Sequence, residues 1–144
     1  MLLGEFRCST DAEGRLTIPS EFRAELAEGA AVTRGIDRCV VVYPAVEFQE
    51  LAEKIEDRLP ITNRQARAFT RLVFSGALAC AVDQEGQIRL PGQLLEYADI
   101  EDEAVVVGLF SHLEIWSPRH WQRTRAESVQ DGAGLAEQLD EFRL

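Results

Sequence analysis

Apolar and polar residues alternate in two short segments of the chain, and a proline ends each alternation. The segments have the sequences Arg-Leu-Thr-Ile at residues 15–18, before Pro19, and Gln-Ile-Arg-Leu at residues 87–90, before Pro91. A period of two is typical of a strand with one buried face, and proline interrupts strand pairing. The pattern therefore predicts two short strands whose apolar side chains face a core and whose polar side chains face solvent.

A turn of the same composition precedes each of these strands. Asp11 and Gly14 begin and end the first turn, and Asp83 and Gly86 do so in the second. Aspartate at the first position can accept hydrogen bonds from nearby backbone amides, and glycine supplies a positive φ at the last. We therefore assign these four residues a turn-forming role. We expect the strand after the first turn to return along the strand before it, as a hairpin.

The rest of the pattern predicts further strands and several helices. Ser20 is predicted to cap a short helix, and Ser117 with Pro118 to begin a helix near the C-terminal end. A stripe of apolar residues predicts a helix over residues 45–59, which Pro60 ends. The remaining predicted elements are strands at 5–10, 31–34, 39–43, 77–82, 104–109 and 112–116, a helix from Thr62 or Asn63 to Gly76, a helix at 92–98, and a mobile acidic tail from Asp131.

The chain contains an internal repeat. Residues 4–19 align without a gap with residues 76–91, and glycine, cysteine, aspartate, glutamate, glycine and proline coincide in that register. Self-similarity of this kind indicates two related structural units. We therefore divide the chain into a first repeat, a helical linker, a second repeat and a C-terminal helix with an acidic tail, at residues 4–46, 47–75, 76–119 and 120–144.

The net charge of −10 argues against non-specific binding to nucleic acid, but the charge is unevenly distributed. Residues 1–72 contain ten basic and twelve acidic residues, whereas residues 73–144 contain five and thirteen. Fourteen of the fifteen basic residues are arginine, which suits bidentate recognition of phosphate or guanine. An anionic partner is therefore expected to meet the N-terminal half of the chain.

Composition and motifs argue against several other classes of protein. No apolar run approaches the length of a membrane span, and no signal peptide is visible. The three cysteines, an odd number without a close pair, suit a reducing cytoplasm. His112 and His120 lack metal-ligand spacing, and no P-loop, Gly-x-Ser-x-Gly or His-Glu-x-x-His motif occurs. We therefore expect no catalytic activity, metal or cofactor.

The residues from Asp11 to Pro19, followed by a short helix, resemble the SpoVT-AbrB motif. Its recurrence at Asp83, with the segments at residues 33–39 and 67–77, resembles the bacterial MraZ family over roughly residues 1–125. The resemblance implies an α+β, mostly β fold of two AbrB-like swapped-hairpin β-barrel repeats with linker and C-terminal helices. It implies a ring-shaped homo-oligomer that binds promoter repeats in double-stranded DNA. It also implies a cytoplasmic, nucleoid-associated regulator of the cell-division and cell-wall gene cluster, including its own promoter.

Arg15, directly after the first turn, is the principal candidate for DNA contact. A two-stranded ribbon fits the major groove, and a guanidinium can bond O6 and N7 of guanine as a fork. The alternative is a surface arginine paired with Asp11 or Glu13 of its own turn. The family resemblance favours the DNA contact.

The second copy of the motif departs from the family pattern, because Gln87 follows the turn glycine in place of arginine. Glutamine can still bond a base, with a preference for adenine. We include Gln87 and Arg89 among the candidates for DNA contact, together with Arg7, Arg34 and Arg38 of the first repeat. Each of these last three could contact phosphate or be a solvated surface charge.

A further basic stripe lies on the predicted helix that ends at Gly76. It consists of Arg64, Arg67 and Arg71, at helical spacing. These arginines could contact DNA or form ion pairs within the chain. We favour ion pairs with acidic residues of the preceding helix, which are Glu50, Glu53, Glu56 and Asp57.

Two other functions stay open at this point. Gln87 and the acidic second half favour an oligomeric scaffold that binds a protein partner, with weak or lost DNA binding. The other is an AbrB-like antitoxin, against which the long second repeat argues.

Overall fold

The computed structural model describes residues 1–143, which contain eight strands and six α-helices. The strands are β1 Leu2–Ser9, β2 Arg15–Thr17, β3 Ala30–Arg34, β4 Val40–Pro44, β5 Leu78–Cys80, β6 Gln87–Arg89, β7 Glu103–Phe110 and β8 Leu113–Trp116. The helices are α1 Ser20–Arg23, α2 Ala45–Arg58, α3 Arg64–Ser75, α4 Gly92–Tyr97, α5 Pro118–Gln130 and α6 Gly132–Gln138. Short 3-10 turns follow at Ala24–Leu26 and Asp140–Phe142.

Strands from the two repeats are interleaved in one antiparallel sheet. Its six strands lie in the order β1-β7-β8-β4-β3-β5, so each end strand pairs with a hairpin of the other repeat. The two hairpins meet at the centre, where Val41 of β4 lies opposite Glu114 of β8. Exchanging the repeats reproduces this strand order, and the sheet therefore has an approximate twofold arrangement. Neither repeat forms the sheet alone, and the proposed repeat boundaries stay a prediction.

A separate two-stranded ribbon pairs β2 of the first repeat with β6 of the second. The strands run antiparallel, with Leu16 opposite Ile88 at the centre. The expectation that β2 returns along β1 as a hairpin is wrong. A single bridge, between Thr10 and Leu16, links those two segments of the described chain. Period-two alternation shows which face of β2 is buried but not which strand pairs with it. In the structure that partner is β6, the equivalent strand of the second repeat, rather than β1.

The central strands of the sheet are buried on both faces. One face packs against the ribbon and the short helices α1 and α4, and together they form the main core. The fully buried side chains of this core include Leu16, Ile18, Phe22, Val32, Ile88, Leu90, Leu94, Val106 and Ile115. The other face carries a smaller buried cluster of Cys39, Val41, Val105, Val107 and Trp116. Trp121 of α5 packs against this second cluster. The valine-rich strands therefore exclude water on both sides within one chain.

The longer helices begin and end close to the predicted residues. Helix α2 ends at Arg58, shortly before Pro60. Asn63, rather than Thr62, caps α3 by accepting a hydrogen bond from the Ala66 amide at 2.9 Å. Ser117 caps α5, and Pro118 lies in the first turn of that helix. These signals depend on a few neighbouring residues, which is why the sequence contains them.

One local expectation about a helix end is wrong. Ser20 is the first residue of α1, and Pro19 occupies the capping position without any side-chain cap. The chain enters α1 through the fixed φ of this proline, which leaves no capping position for the serine. The acidic tail contains α6, which begins where the carbonyl of Asp131 accepts from the amide of Leu135 at 2.9 Å, and its mobility stays a prediction.

The expected ion pairs between α3 and α2 are absent from the described part of the chain. Arg67 instead donates to the backbone carbonyl of Ile61 at 2.8 Å. Exposed ion pairs between long side chains contribute little to stability in water, so helical spacing of the charges does not by itself cause them to form.

The predicted fold class is confirmed. The chain is α+β, with a six-stranded antiparallel sheet, a two-stranded ribbon shared by the repeats, and helices in the linker and at the C-terminal end. No described helix is long and apolar enough to cross a bilayer.

Candidate nucleic-acid interface

The first turn is built by backbone bonds to one aspartate. Oδ1 of Asp11 accepts from the amides of Glu13 and Arg15, each at 2.9 Å. The carbonyl of Asp11 accepts from the amide of Gly14 at 3.1 Å, and Gly14 has a φ of +81°. The Arg15 amide is the main cause that lowers the pKa of Asp11, and the Glu13 amide and the Arg15 guanidinium lower it further. The aspartate charge is therefore used in holding the turn.

The second turn has the same construction. Oδ1 of Asp83 accepts from the amides of Glu85 and Gln87, each at 2.9 Å. Gly86 donates to the Asp83 carbonyl at 3.0 Å and has a φ of +78°. The turn is therefore intact although the arginine that follows the glycine in the first repeat is replaced by Gln87.

The two turns are joined across the ribbon. The amide of Ile18 donates to the carbonyl of Gly86, and the amide of Leu90 donates to the carbonyl of Gly14, both at 2.8 Å. Each turn is thus held by the strand of the other repeat. This fixes the strands that follow the turns relative to each other.

The ribbon presents four side chains on its outer face. Leu16 and Ile88 face the core, so the residues on either side of them face outward. Arg15 lies directly opposite Arg89, and Thr17 lies directly opposite Gln87. The structure therefore brings together three of the residues proposed for DNA contact, which are Arg15, Gln87 and Arg89.

Both arginines of this pair contact Glu13. The Arg15 guanidinium forms ion pairs with the carboxylates of Glu13 and Asp11, and 43% of its side chain is exposed. Glu13 is the main cause that raises the pKa of Arg15. Nε of Arg89 donates to the Glu13 carbonyl oxygen at 3.2 Å. The pairing of Arg15 within its own turn, one of the two sequence-based alternatives, is thus present in the unbound chain.

Arg23 also lies against the ribbon, although the sequence did not single it out. Its Nε donates to the Ile18 carbonyl at 2.9 Å. A Cβ added to Gly86 would come within 3.0 Å of the Arg23 guanidinium. At the equivalent place in the first turn, Leu95 lies beside Gly14. Arg23 and Leu95 occupy the same position in the repeat register, and that register was the signal that could have located Arg23.

The comparisons with known proteins agree with the two-repeat architecture. A family model described as "MraZ protein, putative antitoxin-like" matches residues 1–72 and again residues 73–140. The chain belongs to the MraZ family. A protein named transcriptional regulator MraZ, from Caldicellulosiruptor saccharolyticus, is 40% identical over 144 residues and the whole of both chains.

Two further relatives of the same name support this membership of the MraZ family. The protein of Desulforamulus reducens is 44% identical over 139 residues, which are 96% of this chain and 97% of that one. The protein of Roseiflexus castenholzii is 41% identical over 144 residues, the whole of both chains. The chain is therefore a member of a family of transcription regulators.

The other candidate arginines of this MraZ family member lie in two separate places. Arg38 packs over the ring of Tyr97, with its guanidinium carbon 4.9 Å from the ring centre, and Arg34 lies 6.0 Å from the same centre. Arg34 also donates to the Leu72 carbonyl at 3.1 Å, near the end of α3. The Arg34 guanidinium is thus engaged by the fold, whereas Arg38 is exposed.

Arg7 lies on β1 and approaches Glu103 of β7 at 3.9 Å. Its side chain is 60% exposed, beside α5 rather than on the ribbon. Within residues 1–143, no hydrogen bond or ion pair joins Arg7, Arg34 or Arg38 to the Arg15–Arg89 pair. These three residues stay predictions for phosphate contact.

In this MraZ family member, the two histidines contact neighbouring side chains, and burial affects the three cysteines. Nε2 of His120 lies 3.1 Å from an Asp99 carboxylate oxygen, and His112 stacks on Tyr43. Burial raises the pKa of the thiol of Cys39, and the thiols of Cys8 and Cys80 are shifted in the same direction for the same reason. Among the described residues, no three His, Cys, Asp or Glu side chains are grouped to hold a metal ion.

Proposed function

We propose that this chain is a sequence-specific DNA-binding transcription regulator whose β2–β6 ribbon enters the major groove. The observation that carries the proposal is the direct cross-strand pair of Arg15 and Arg89 on the outer face of this exposed ribbon. A two-stranded ribbon fits the major groove, and arginine forms the commonest specific contact with guanine. The buried centre of the ribbon, Leu16 and Ile88, keeps that pair in place.

Arg15 is the residue we assign to base contact. Its guanidinium is tied to the exposed carboxylates of Glu13 and Asp11, and water screens such surface pairs. Exchange of these partners for guanine O6 and N7 therefore requires no change in the fold. Gln87 is proposed as a second base contact, while Arg7, Arg34 and Arg38 are proposed to contact phosphate.

We propose further that several chains assemble into a ring. Leu3 of β1 pairs with Leu109 of β7, and both are exposed together with the neighbouring Phe110. An apolar patch at the end of two paired strands is suited to contact with another subunit. A ring would present one ribbon per subunit to successive G-containing direct repeats in a promoter, and effective concentration would raise the overall affinity.

The proposed cellular role follows from the family resemblance. We propose that the chain acts on the bacterial cell-division and cell-wall gene cluster, including its own promoter. It would work in the cytoplasm on the nucleoid, without a cofactor. A ribbon of three-residue strands makes few contacts alone, so the proposed regulation requires the multivalent assembly.

A second candidate function is a protein-binding scaffold that has lost useful DNA binding. The observation that favours it is the neutralisation of Arg15 by two acids of its own turn, with Gln87 in place of the second arginine. In that case the ribbon would only connect the two repeats, and its arginines would bind no ligand.

The two candidates are separated by a binding titration. Purified full chain is titrated against the duplex from upstream of its own gene and against a scrambled duplex, over a series of salt concentrations. The regulator requires tighter binding to the native duplex at every salt concentration, and a mass in solution several times 16.1 kDa. Equal affinities for the two duplexes would favour the scaffold, and a monomer would contradict the ring.

A further inference from the structure

The ribbon is symmetric in its backbone but asymmetric in its outward side chains. The repeat register equates Arg15 with Gln87 and Thr17 with Arg89. A ribbon with arginine after both turn glycines would carry its two guanidinium groups on diagonal positions. This ribbon carries them directly opposite each other, at one end, with Thr17 and Gln87 at the other end.

We propose that Arg89 supplies the second guanidinium that the repeat register would place at residue 87, and that the ribbon consequently recognises DNA in one orientation only. Arg15 and Arg89 form a two-guanidinium site for guanine edges and the adjoining phosphate. Gln87 contacts the opposite end of the same short sequence. The inference rests on the proposed function and specifies which residues determine the sequence that is bound.

The electrostatics of the pair favour an anionic or electron-rich ligand. Side chains directly opposite each other on antiparallel strands have their Cβ atoms about 4.5–5.5 Å apart, and like charges there destabilise the pairing. Glu13 offsets this repulsion in part, through its carboxylate on Arg15 and its carbonyl oxygen on Arg89. Acceptors of guanine or phosphate placed between the two guanidinium groups would relieve the remaining repulsion.

The position of the second arginine changes which base pairs it can contact. Residues 87 and 89 are two apart on one strand, which is about 6.6–6.8 Å along the ribbon. Two base-pair steps of duplex DNA cover about the same distance. Moving the guanidinium from residue 87 to residue 89 therefore shifts its target by about two base pairs.

The same placement removes the equivalence of the two binding orientations. A twofold ribbon with matching side chains can be rotated on its DNA without any change in its contacts. Here the rotation would exchange the pair of arginines with Thr17 and Gln87. Arginine prefers guanine and glutamine prefers adenine, so the two orientations favour different sequences.

The test is a selection of bound sequences from a pool of random duplex DNA. The parent chain is compared with the double variant Gln87→Arg, Arg89→Gln, which exchanges two side chains on one strand and keeps the composition and net charge. We expect the parent to select an asymmetric sequence, with guanine at one end and adenine at the other. We expect the exchanged variant to select a different sequence, and to bind the parent's sequence at least about tenfold more weakly.

The controls separate this inference from the proposed function. Melting temperature and mass in solution show whether the exchanged variant is folded, and Arg89→Lys, which keeps the charge but removes the fork, is used if it is not. For Arg89→Lys we expect weaker discrimination between the selected and scrambled duplexes. If the exchanged variant, or Arg89→Lys in its place, binds like the parent while Arg15→Ala loses binding, the inference is overturned and the proposed function stands. A parent that selects no sequence overturns both.

Discussion

The amide of Leu90 donates to the carbonyl of Gly14 over 2.8 Å, so the first turn is held by a strand from the second repeat. A Cβ added to Gly14 would lie closer than 3.0 Å to the carbonyl oxygen of Leu90, a separation that real Cβ atoms essentially never show. The absence of a side chain at Gly14 is therefore a condition for the contact between the repeats. Turn conformation and pairing of the repeats depend on the same residue.

We expect Gly14→Ala to be more destabilising than Gly86→Ala. Both glycines have a positive φ, which costs an alanine about 1–2 kcal/mol. The added methyl at Gly14 meets backbone, so we expect a total loss of about 2–5 kcal/mol. At Gly86 it meets the end of the Arg23 side chain, which can move. Denaturant unfolding of both variants measures the difference, and equal losses would contradict this account of the turns.

We expect Arg15→Ala to lose binding to the native upstream duplex while the fold and the mass in solution are unchanged. Each subunit loses its base contact at once, so the effect on a multivalent complex is larger than the tenfold or so of one contact. Arg15→Lys should keep weak, salt-sensitive binding and lose discrimination. Fluorescence anisotropy on native and scrambled duplexes measures both properties.

Arg123→Ala is the matched control for Arg15→Ala. It removes an exposed arginine of α5 that lies outside the ribbon. Its affinity for the native duplex should stay close to that of the parent. If Arg123→Ala and Arg15→Ala lower the affinity equally, loss of charge rather than a base contact explains the result. Full binding by Arg15→Ala would refute DNA recognition by this residue.

The stability of the chain should fall below about pH 4 partly through Asp11. The pKa of Asp11 in the folded chain lies below its usual value of 3.8, chiefly because of the bond from the Arg15 amide. Its contribution is therefore complete above the unfolded pKa and is lost as the pH falls through the folded pKa. In Asp11→Asn this contribution is missing. Unfolding curves from pH 7 to pH 3 should show the parent's advantage shrinking towards the acid end, and a constant difference would contradict the prediction.

We expect residues 1–72, which contain the first repeat and most of the linker, not to fold by themselves as a monomer. Its β1 pairs with β7, its β3 with β5 and its β2 with β6, and all three partners belong to residues 73–144. Circular dichroism should show no cooperative transition for a monomeric fragment, and mixing it with the other half should restore one. A cooperative transition in a monomer of residues 1–72 would show that the repeats are independent.

Much of the secondary structure could be predicted because its signals are local. The caps at Asn63 and Ser117 and the stop at Pro60 involve residues that are close in the sequence. Asp11 and Asp83 likewise bond amides two and four residues further on, so the turns could be recognised from composition. Ser20 was misleading because Pro19 occupies the position that a capping serine requires.

By itself, the sequence determined which side of each short strand is buried, where the turns lie, and that the chain consists of two related halves. Period-two alternation around Leu16 and Ile88 is sufficient for the first of these conclusions. Only the tertiary structure decided which strands are neighbours, because two repeats with the same pattern offer equivalent partners. Pairing β2 with β6 rather than β1 brings Arg89 opposite Arg15, across 74 residues of sequence. Contacts over such a separation depend on how the whole sheet closes, and no short stretch of sequence contains them.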